Sequence, residues 1–337
     1  MSANAMKPFG CLVLLALCGA LGAAPANAAE KLRFSIPSLS ANYAPSFIAM
    51  DKGYFAEEGL DVEFVNAGGG IATPGLISGT VEMSGSPASA LSAIMRGAPL
   101  KIIYTMSEST TYQVWSTQAD IKTLADLQGK SVGVATRGDT YEIALRMALR
   151  NERLSPDAVG YTAMGFGSAA RAIIESKSLP AVVLPSYDVE QLRGSGSLSN
   201  AHLIADLADK VRLPYNGIAT SDRYLQSNPD TVKKFLRATV KGVAYMRAFK
   251  DQTIQILSKY ENTTNLRGID VDYTEVLKTL TKDGTVAEAM QRDDMEMRAS
   301  LLKMPADKII PANRVYDFAP LREVNAALSA SGWKPTP

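Results

Sequence analysis

The chain has 337 residues, of which 46% are hydrophobic, and its 35 basic and 34 acidic residues leave a formal net charge of +1. This length is enough for two lobes with separate hydrophobic cores. The balanced charge argues against the basic surplus that is typical of proteins binding nucleic acid or anionic membranes. We therefore expect a globular protein that has no nucleic-acid partner.

The first 28 residues have the pattern of a secretory signal peptide. Lys7 precedes a run without charged residues at positions 9–24, and Ala26-Asn27-Ala28 offers a cleavage site of the A-x-A kind. The run is shorter than the roughly 20 residues that a membrane-spanning helix needs. The pattern predicts a periplasmic protein beginning at residue 29, with a buried helix or an uncleaved anchor as the alternative. A lipoprotein cysteine at Cys18 is disfavoured, because the preceding Leu15-Ala16-Leu17 places a bulky leucine where such signals have a small residue.

Residues able to carry covalent or metal chemistry are scarce in the predicted mature chain. Both cysteines, Cys11 and Cys18, lie in the predicted signal peptide, so neither a disulfide nor a cysteine nucleophile is expected. His202 is the only histidine, and it cannot by itself complete a zinc site or a Ser/His/Asp triad. Three glycines at positions 68–70 lack the Gly-Lys-Ser/Thr of a phosphate-binding loop and predict a turn. We predict no catalytic residue, no metal and no cofactor.

The predicted elements alternate between strands and helices over the first two thirds of the chain. Before residue 115, strands are predicted at 32–36, 60–65, 81–84 and 100–106, and helices at 46–55, 71–78 and 86–95. After it, helices are predicted at 124–127, 139–151 and 168–176, and strands at 131–135, 160–163, 181–184, 203–204 and 218–219. The charges of Asp126 and Glu142 are interpreted as solvated helix charges.

The last third is predicted to be helical. Asn228-Pro229 is a helix start, and a long amphipathic helix with apolar residues at three- and four-residue spacing follows. Further helices are predicted at 253–260, 274–280, 286–302 and 321–329. The whole pattern predicts two α/β lobes with mainly parallel sheets. The first lobe would comprise residues 29–115 plus 221–337 and the second residues 116–220, with crossings at 112–119 and 220–221.

Several segments together resemble one family. Residues 45–65 contain Lys52-Gly53-Tyr54-Phe55 followed by a Gly-Leu-Asp-Val strand, and matching segments lie at 76–82, 97–101, 124–134 and 228–232. These resemble the NMT1/THI5-like solute-binding proteins, which include taurine, alkanesulfonate, nitrate and pyrimidine-precursor binders. Glu82 stands where the family usually has Asp, and residues 178–182 lack an Asp that the family often has.

The resemblance implies the type II periplasmic-binding-protein fold, in which two hinged lobes enclose a ligand. It also implies a monomer that delivers a small molecule to the membrane permease of an ABC importer. The ligand would be a small organic anion of the sulfonate or aromatic carboxylate type. The alternatives are a pyrimidine or thiamine precursor, a biosynthetic enzyme on the same fold, and a sensor domain. The enzyme is disfavoured because its Cys-rich motif and active-site histidines are missing.

The candidate ligand-binding residues lie where predicted strands end, because the carboxyl ends of strands in open α/β sheets face the binding crevice. They are Ser38, Asn42, Tyr43, Ser86, Pro87, Ala88, Ser107, Tyr112, Thr136, Arg137, Asp139, Thr140, Tyr141, Gly167, Ser168, Ser186, Tyr187 and Asn216. Arg137 could hold a carboxylate or sulfonate through two hydrogen bonds, or it could be a solvated rim arginine. Asp139 and Ser168 could contact ligand, or simply cap helices. The tyrosines, with Tyr215 beside them, could sandwich a flat ligand.

Overall fold

The computed structural model describes Met1, residues 28–165 and residues 167–337. Nearly all of the predicted signal peptide lies outside these residues. None of the helices in the described part is long and apolar enough to cross a membrane.

The first lobe begins with alternating strands and helices, as predicted. In chain order these are β1 Glu30–Ile36, α1 Ala44–Asp51, α2 Tyr54–Glu57, β2 Leu60–Asn66, α3 Gly69–Ser78, β3 Met83–Ser84, α4 Pro87–Ile94 and β4 Leu100–Ser107. The helix predicted at 46–55 is divided into α1 and α2, because Gly53 has a left-handed φ of 74° that ends the first helix.

The second lobe contains the next group of elements. They are β5 Tyr112–Ser116, β6 Ser131–Val134, α5 Thr140–Asn151, β7 Gly160–Ala163, α6 Ser168–Ser176, β8 Ala181–Pro185, α7 Ser186–Gly194 and β9 His202–Asp206. Helix α7 is not predicted by the sequence pattern, and the helix predicted at 124–127 is a 3₁₀ turn.

The remaining elements return to the first lobe. They are β10 Tyr215–Ser221, α8 Asp222–Ser227, α9 Pro229–Ala248, α10 Lys250–Glu261, α11 Leu266–Thr279, α12 Glu288–Leu301 and α13 Ala319–Ser331. Asn265 caps helix α11, since its side chain accepts from the Gly268 amide. The helix is about two turns longer than the helix predicted at 274–280.

Each lobe contains one five-stranded mixed sheet. The strand orders are β2-β1-β3-β10-β4 and β7-β6-β8-β5-β9. Strands β10 and β5 run antiparallel to both of their neighbours, and the other strands of each sheet share one direction. This arrangement confirms the predicted two-lobed α/β fold with mainly parallel sheets.

The two antiparallel strands are the ones that follow a crossing between lobes. Strand β5 pairs within the second sheet and β10 within the first, so the chain crosses at residues 108–111 and again at residues 207–214. The boundaries predicted at 115/116 and 220/221 fall at the far ends of these strands. They differ because alternation of side chains identifies a strand but not the sheet that it joins.

Helix α9 packs into the core of the first lobe. The Phe235 ring stacks on Phe55 at 5.2 Å and meets the edge of Phe34 at 5.2 Å, and both Tyr54 and Phe55 are buried in the core. Helix α12 touches both lobes, because Met295 belongs to the first core and Met297 to the second.

Gly242 lets α9 approach α1 closely, since an added Cβ would lie 2.1 Å from the Pro45 carbonyl oxygen. We expect Gly242→Ala to lower the free energy of unfolding by about 1–3 kcal/mol, although alanine normally favours a helix over glycine. Urea unfolding measures this change. Gly194→Ala is the control, because nothing lies within 4 Å of a Cβ there. Wild-type stability in Gly242→Ala would contradict the close contact.

Candidate ligand-binding site

A cavity of about 670 Å³ lies between the two lobes. Pro37 and Ser38 follow β1, Gly85 follows β3, Thr136 follows β6 and Pro185 ends β8, and all five line the cavity. The cavity therefore occupies the carboxyl ends of strands from both sheets, which is the position that α/β sheets use for ligands.

Several helices begin at this cavity. Gly69, Pro87 and Thr140 are the first residues of α3, α4 and α5, Tyr187 is the second residue of α7, and all four line the wall. The first N–H groups of a helix have no partner within the helix, and they carry a partial positive charge. The wall therefore favours ligand atoms that accept hydrogen bonds.

Tyrosine rings form much of the lining. Tyr112 packs on Tyr141 with ring centroids 4.3 Å apart and meets the edge of Tyr215 at 5.3 Å. Tyr187 on α7 and Tyr215 on β10 are only half-buried. Strand β10 belongs to the first sheet, but the Tyr215 ring packs against the core of the second lobe. Burial raises the pKa of Tyr215 to about 12 and that of Tyr112 well above its usual value. The phenols are therefore neutral groups that can donate hydrogen bonds.

Two residues of the cavity lining, Asn42 and Asn216, have buried side-chain atoms without a hydrogen-bond partner. Asn42 Oδ1 is buried without a hydrogen-bond partner. Asn216 Nδ2 lies beside the Tyr215 hydroxyl but has no hydrogen bond of normal geometry. Buried polar atoms without partners are costly. The two side chains therefore hold an acceptor and a donor that the described residues leave without a partner.

Other lining residues hold the wall in place. The Tyr43 hydroxyl donates to the Gly85 carbonyl at 2.8 Å. Asp139 caps α5 by accepting from the Glu142 amide at 3.1 Å and from the Thr136 amide at 2.7 Å. Burial raises the pKa of Asp139, although these hydrogen bonds oppose that effect. The capping alternative for Asp139 is therefore observed, on a residue that also lines the cavity.

Arg137 is held away from this cavity by its own partners. Its Nε donates to Glu142 Oε2 at 2.8 Å, and its Nη1 donates to the Tyr161 carbonyl at 3.0 Å. Glu142, interpreted from the sequence as solvated, is completely buried and also binds Arg146 at 2.8 Å. No lysine or arginine lines the cavity in the part of the chain that the structure describes.

Thirteen of the residues predicted from the sequence line the cavity: Ser38, Asn42, Tyr43, Ser86, Pro87, Ala88, Tyr112, Thr136, Asp139, Thr140, Tyr141, Tyr187 and Asn216. Ser107 is fully buried in β4. Ser186 does not line the cavity, because its hydroxyl donates to Asp272. Gly167 precedes α6 and does not line the cavity either. Ser168 begins α6, and its side chain lies outside the described part.

The start of α3 also belongs to the site, although it is not among the residues predicted from the sequence. Gly68, Gly69, Gly70 and Ile71 line the cavity, and the apolar Ile71 side chain is 73% exposed. A Cβ on Gly69 would lie 1.9 Å from Ser89 Oγ, so the glycine permits close contact with α4. The strand-end rule that identified the other loops applies to β2 as well and could have found this one.

A buried carboxylate joins the lobes behind the cavity. Asp272 on α11 accepts from the Ala41 amide of the first lobe at 3.3 Å and from the Ser186 hydroxyl of the second at 2.5 Å. Burial raises the pKa of Asp272 to about 6. Burial and the nearby Asp272 charge raise the pKa of Asp188 to about 6 and that of Glu261 to about 8.

These pKa shifts predict that the protein is more stable in mild acid. A carboxyl whose pKa is higher in the folded chain opposes folding when it is ionised. The destabilisation caused by ionised Asp272 is therefore complete above pH 6 and disappears below about pH 4. We expect the free energy of unfolding to rise by at least about 1 kcal/mol from pH 8 to pH 5. Asp272→Asn should be more stable at pH 8 and less sensitive to pH. A wild-type stability that falls over this range would contradict the prediction.

Two lobes, two mixed sheets with one antiparallel strand each, and a cavity at their strand ends define the periplasmic-binding-protein fold. The solved structure of the aliphatic sulphonate-binding protein SsuA from Escherichia coli superimposes with a TM-score of 0.71 at 17% identity, covering 85% of this chain and 97% of that one. At this identity the likeness shows the fold.

The sequence then places the chain in a family. The NMT1/THI5-like family model matches residues 40–252, and the chain belongs to this family. The riboflavin-binding protein RibY of Chloroflexus aurantiacus is 30% identical over 226 residues, 66% of this chain and 63% of that protein. The pyrimidine phosphate synthase THI11 of Saccharomyces cerevisiae is 28% identical over 221 residues, 61% of this chain and 64% of that protein. The chain thus spans somewhat less than two thirds of these relatives.

Proposed function

We propose that this protein is the solute-binding component of an ABC importer and that it holds a planar heteroaromatic solute between its lobes. The observation that carries this proposal is the pair of half-buried rings, Tyr187 and Tyr215, which line one cavity between the lobes. Aromatic rings stack on flat ligands. The open atoms of Asn42 and Asn216 would bind a heterocycle edge that has both N–H and C=O groups.

The chemistry of the cavity favours this solute over a simple sulfonate or nitrate. A small anion without an aromatic part depends on charged or strongly polar donors. Arg137, the clamp expected from the sequence, is already bound to Glu142. The naming of one relative as a riboflavin-binding protein also supports a flat heterocycle, as does the pyrimidine alternative considered from the sequence.

We propose a binding role without catalysis. The polar groups of the described lining are phenols, amides, hydroxyls and the capping Asp139, and the Thr136 hydroxyl donates to Asp139 at 3.1 Å as part of that cap. Because a yeast relative is named as a synthase, chemical conversion of the solute is the alternative outcome that the experiment has to test. A periplasmic location, cleavage of residues 1–28, a monomeric state and delivery to a membrane permease complete the proposal.

Binding would work by closure of the lobes. The two crossings at residues 108–111 and 207–214 are the connections about which the lobes can rotate. A solute in this cavity would touch Asn42 and Tyr43 of the first lobe and Tyr187 of the second, so it stabilises the closed state over the open one. The permease would then recognise that closed state.

A thermal-shift screen of the wild-type protein tests the proposed function. Flavins, pyrimidines and aromatic carboxylates are compared with taurine, alkyl sulfonates and nitrate. A planar heteroaromatic solute should raise Tm by roughly 5 °C at 100 times its Kd, and mass spectrometry should recover it unchanged. A largest shift from nitrate or an alkyl sulfonate, or conversion of the solute, would overturn the proposal.

A further inference from the structure

A second cavity of about 740 Å³ adjoins the first between the lobes. Gly69, Ser89, Thr136 and Thr140 line both cavities. The two cavities are therefore neighbouring parts of one groove. We call the second part the arginine chamber, because Arg96, Arg137 and Arg298 line it.

The two parts of the groove differ in charge. The arginine chamber has three guanidinium groups and a single carboxylate, Asp139, among its described lining residues. The tyrosine-lined cavity shares that carboxylate and has no basic residue in its described lining. One end of the groove therefore suits a flat ring and the other suits acceptor oxygens.

Arg298 carries an unused donor. The residue is 2% exposed, and its Nε donates to both Asp294 oxygens at 3.1 Å. Its Nη1 donates to the Ala88 carbonyl at 3.4 Å, whereas Nη2 is buried without a hydrogen-bond partner. A buried donor without an acceptor is costly, so a further acceptor is expected beside Arg298.

Arg96 supplies a second open cation. It follows α4 at the chamber wall and is exposed. Within the described residues it forms no ion pair of 4.0 Å or less, unlike Arg137 and Arg298. Its charge is therefore available to a ligand.

We propose that the groove binds a two-part solute, with a heteroaromatic ring among the tyrosines and a tail of acceptor oxygens, hydroxyl or phosphate, in the arginine chamber. This inference rests on the proposed function and adds the substrate class and two specificity-determining residues, Arg96 and Arg298. A ring alone would leave the chamber unfilled. A tail would reach it past Thr136 and Thr140, which line both parts.

Calorimetric titration with three flavins tests the inference. Lumichrome has the ring alone, riboflavin adds a hydroxylated tail, and flavin mononucleotide adds a terminal phosphate. A tailed flavin should bind at least about tenfold more tightly than lumichrome. Arg96→Ala should remove most of that advantage and leave lumichrome binding unchanged, and Arg298→Lys should reduce it. Arg322→Ala, an exposed arginine on α13, is the control and should change neither affinity.

The outcomes separate the two proposals. A loss in Arg96→Ala for riboflavin and the mononucleotide alike indicates a hydroxyl tail, and a loss for the mononucleotide alone indicates a phosphate. Equal affinity for all three flavins overturns the tail site, and so does an affinity for the tailed flavins that Arg96→Ala leaves unchanged. In either case, binding of the ring still supports the proposed function. Failure of every flavin and pyrimidine to bind overturns both proposals.

Discussion

Replacing Tyr187 or Tyr215 by alanine is expected to weaken binding of the solute by about 30-fold each, and replacing both by well over 100-fold. Each substitution removes one of the two half-buried rings that line the cavity. The lost contact includes the apolar area of the ring and its stacking on the ligand, together about 2 kcal/mol. Calorimetric titration with the solute chosen by the thermal-shift screen measures the loss.

Matched variants separate the ring from its hydroxyl and from folding. Tyr187→Phe and Tyr215→Phe keep the ring and should bind within about tenfold of wild type, because only a hydrogen bond is lost. Tyr224→Ala removes a half-buried tyrosine that does not line the cavity and should leave affinity unchanged. Wild-type affinity in the double alanine variant would contradict the sandwich.

Glu142→Ala is expected to have the largest effect on stability, a loss of about 3–5 kcal/mol in the free energy of unfolding. Glu142 is completely buried and accepts from Arg137 and Arg146, each at 2.8 Å, and from the Gly138 amide at 2.9 Å. Removing it leaves the buried Arg146 with Asp157 as its remaining carboxylate partner, which places the loss toward the lower end of the range. Urea unfolding at pH 7 measures it.

The pH dependence of this effect has the opposite sign to that of Asp272. Burial opposes ionisation of Glu142, but hydrogen bonds from Arg137, Gly138 and Arg146 outweigh it and lower its pKa. The stabilisation is therefore complete above the ordinary glutamate pKa and is lost as pH falls through the lowered one. Glu288→Ala, which removes an exposed pair with Arg292, should change stability by less than about 1 kcal/mol. Equal effects of the two substitutions would contradict the buried network.

Local patterns predicted most of the fold correctly. Strict alternation over residues 60–65 gave β2, and the Asn228-Pro229 start gave α9 at the observed residue. The same patterns could not assign β5 and β10 to their sheets, because pairing depends on contacts between distant segments. Helix α7 was missed since residues 186–194 have no strong apolar spacing.

The candidate site was predictable wherever position along a strand decided it. The strand-end rule found residues after β1, β3, β6 and β8, and apart from Arg137 and Ser186 those residues line the cavity. The role of Arg137 was not predictable, because it depends on the burial of Glu142 five positions later. The position of Glu142 in the helical pattern is compatible with a solvated carboxylate, but the packing of the second lobe buries it completely. The arginine chamber likewise depends on α12, which is distant in sequence and joins the groove through Arg298.

The most direct test of a solute held between the lobes is a crystal structure of the wild-type protein with the solute that gives the largest thermal shift. The ring should lie between Tyr187 and Tyr215, with its heteroatoms within hydrogen-bond distance of Asn42 Oδ1 and Asn216 Nδ2. A ring bound outside the interlobe groove, or in contact with one lobe only, would contradict this function.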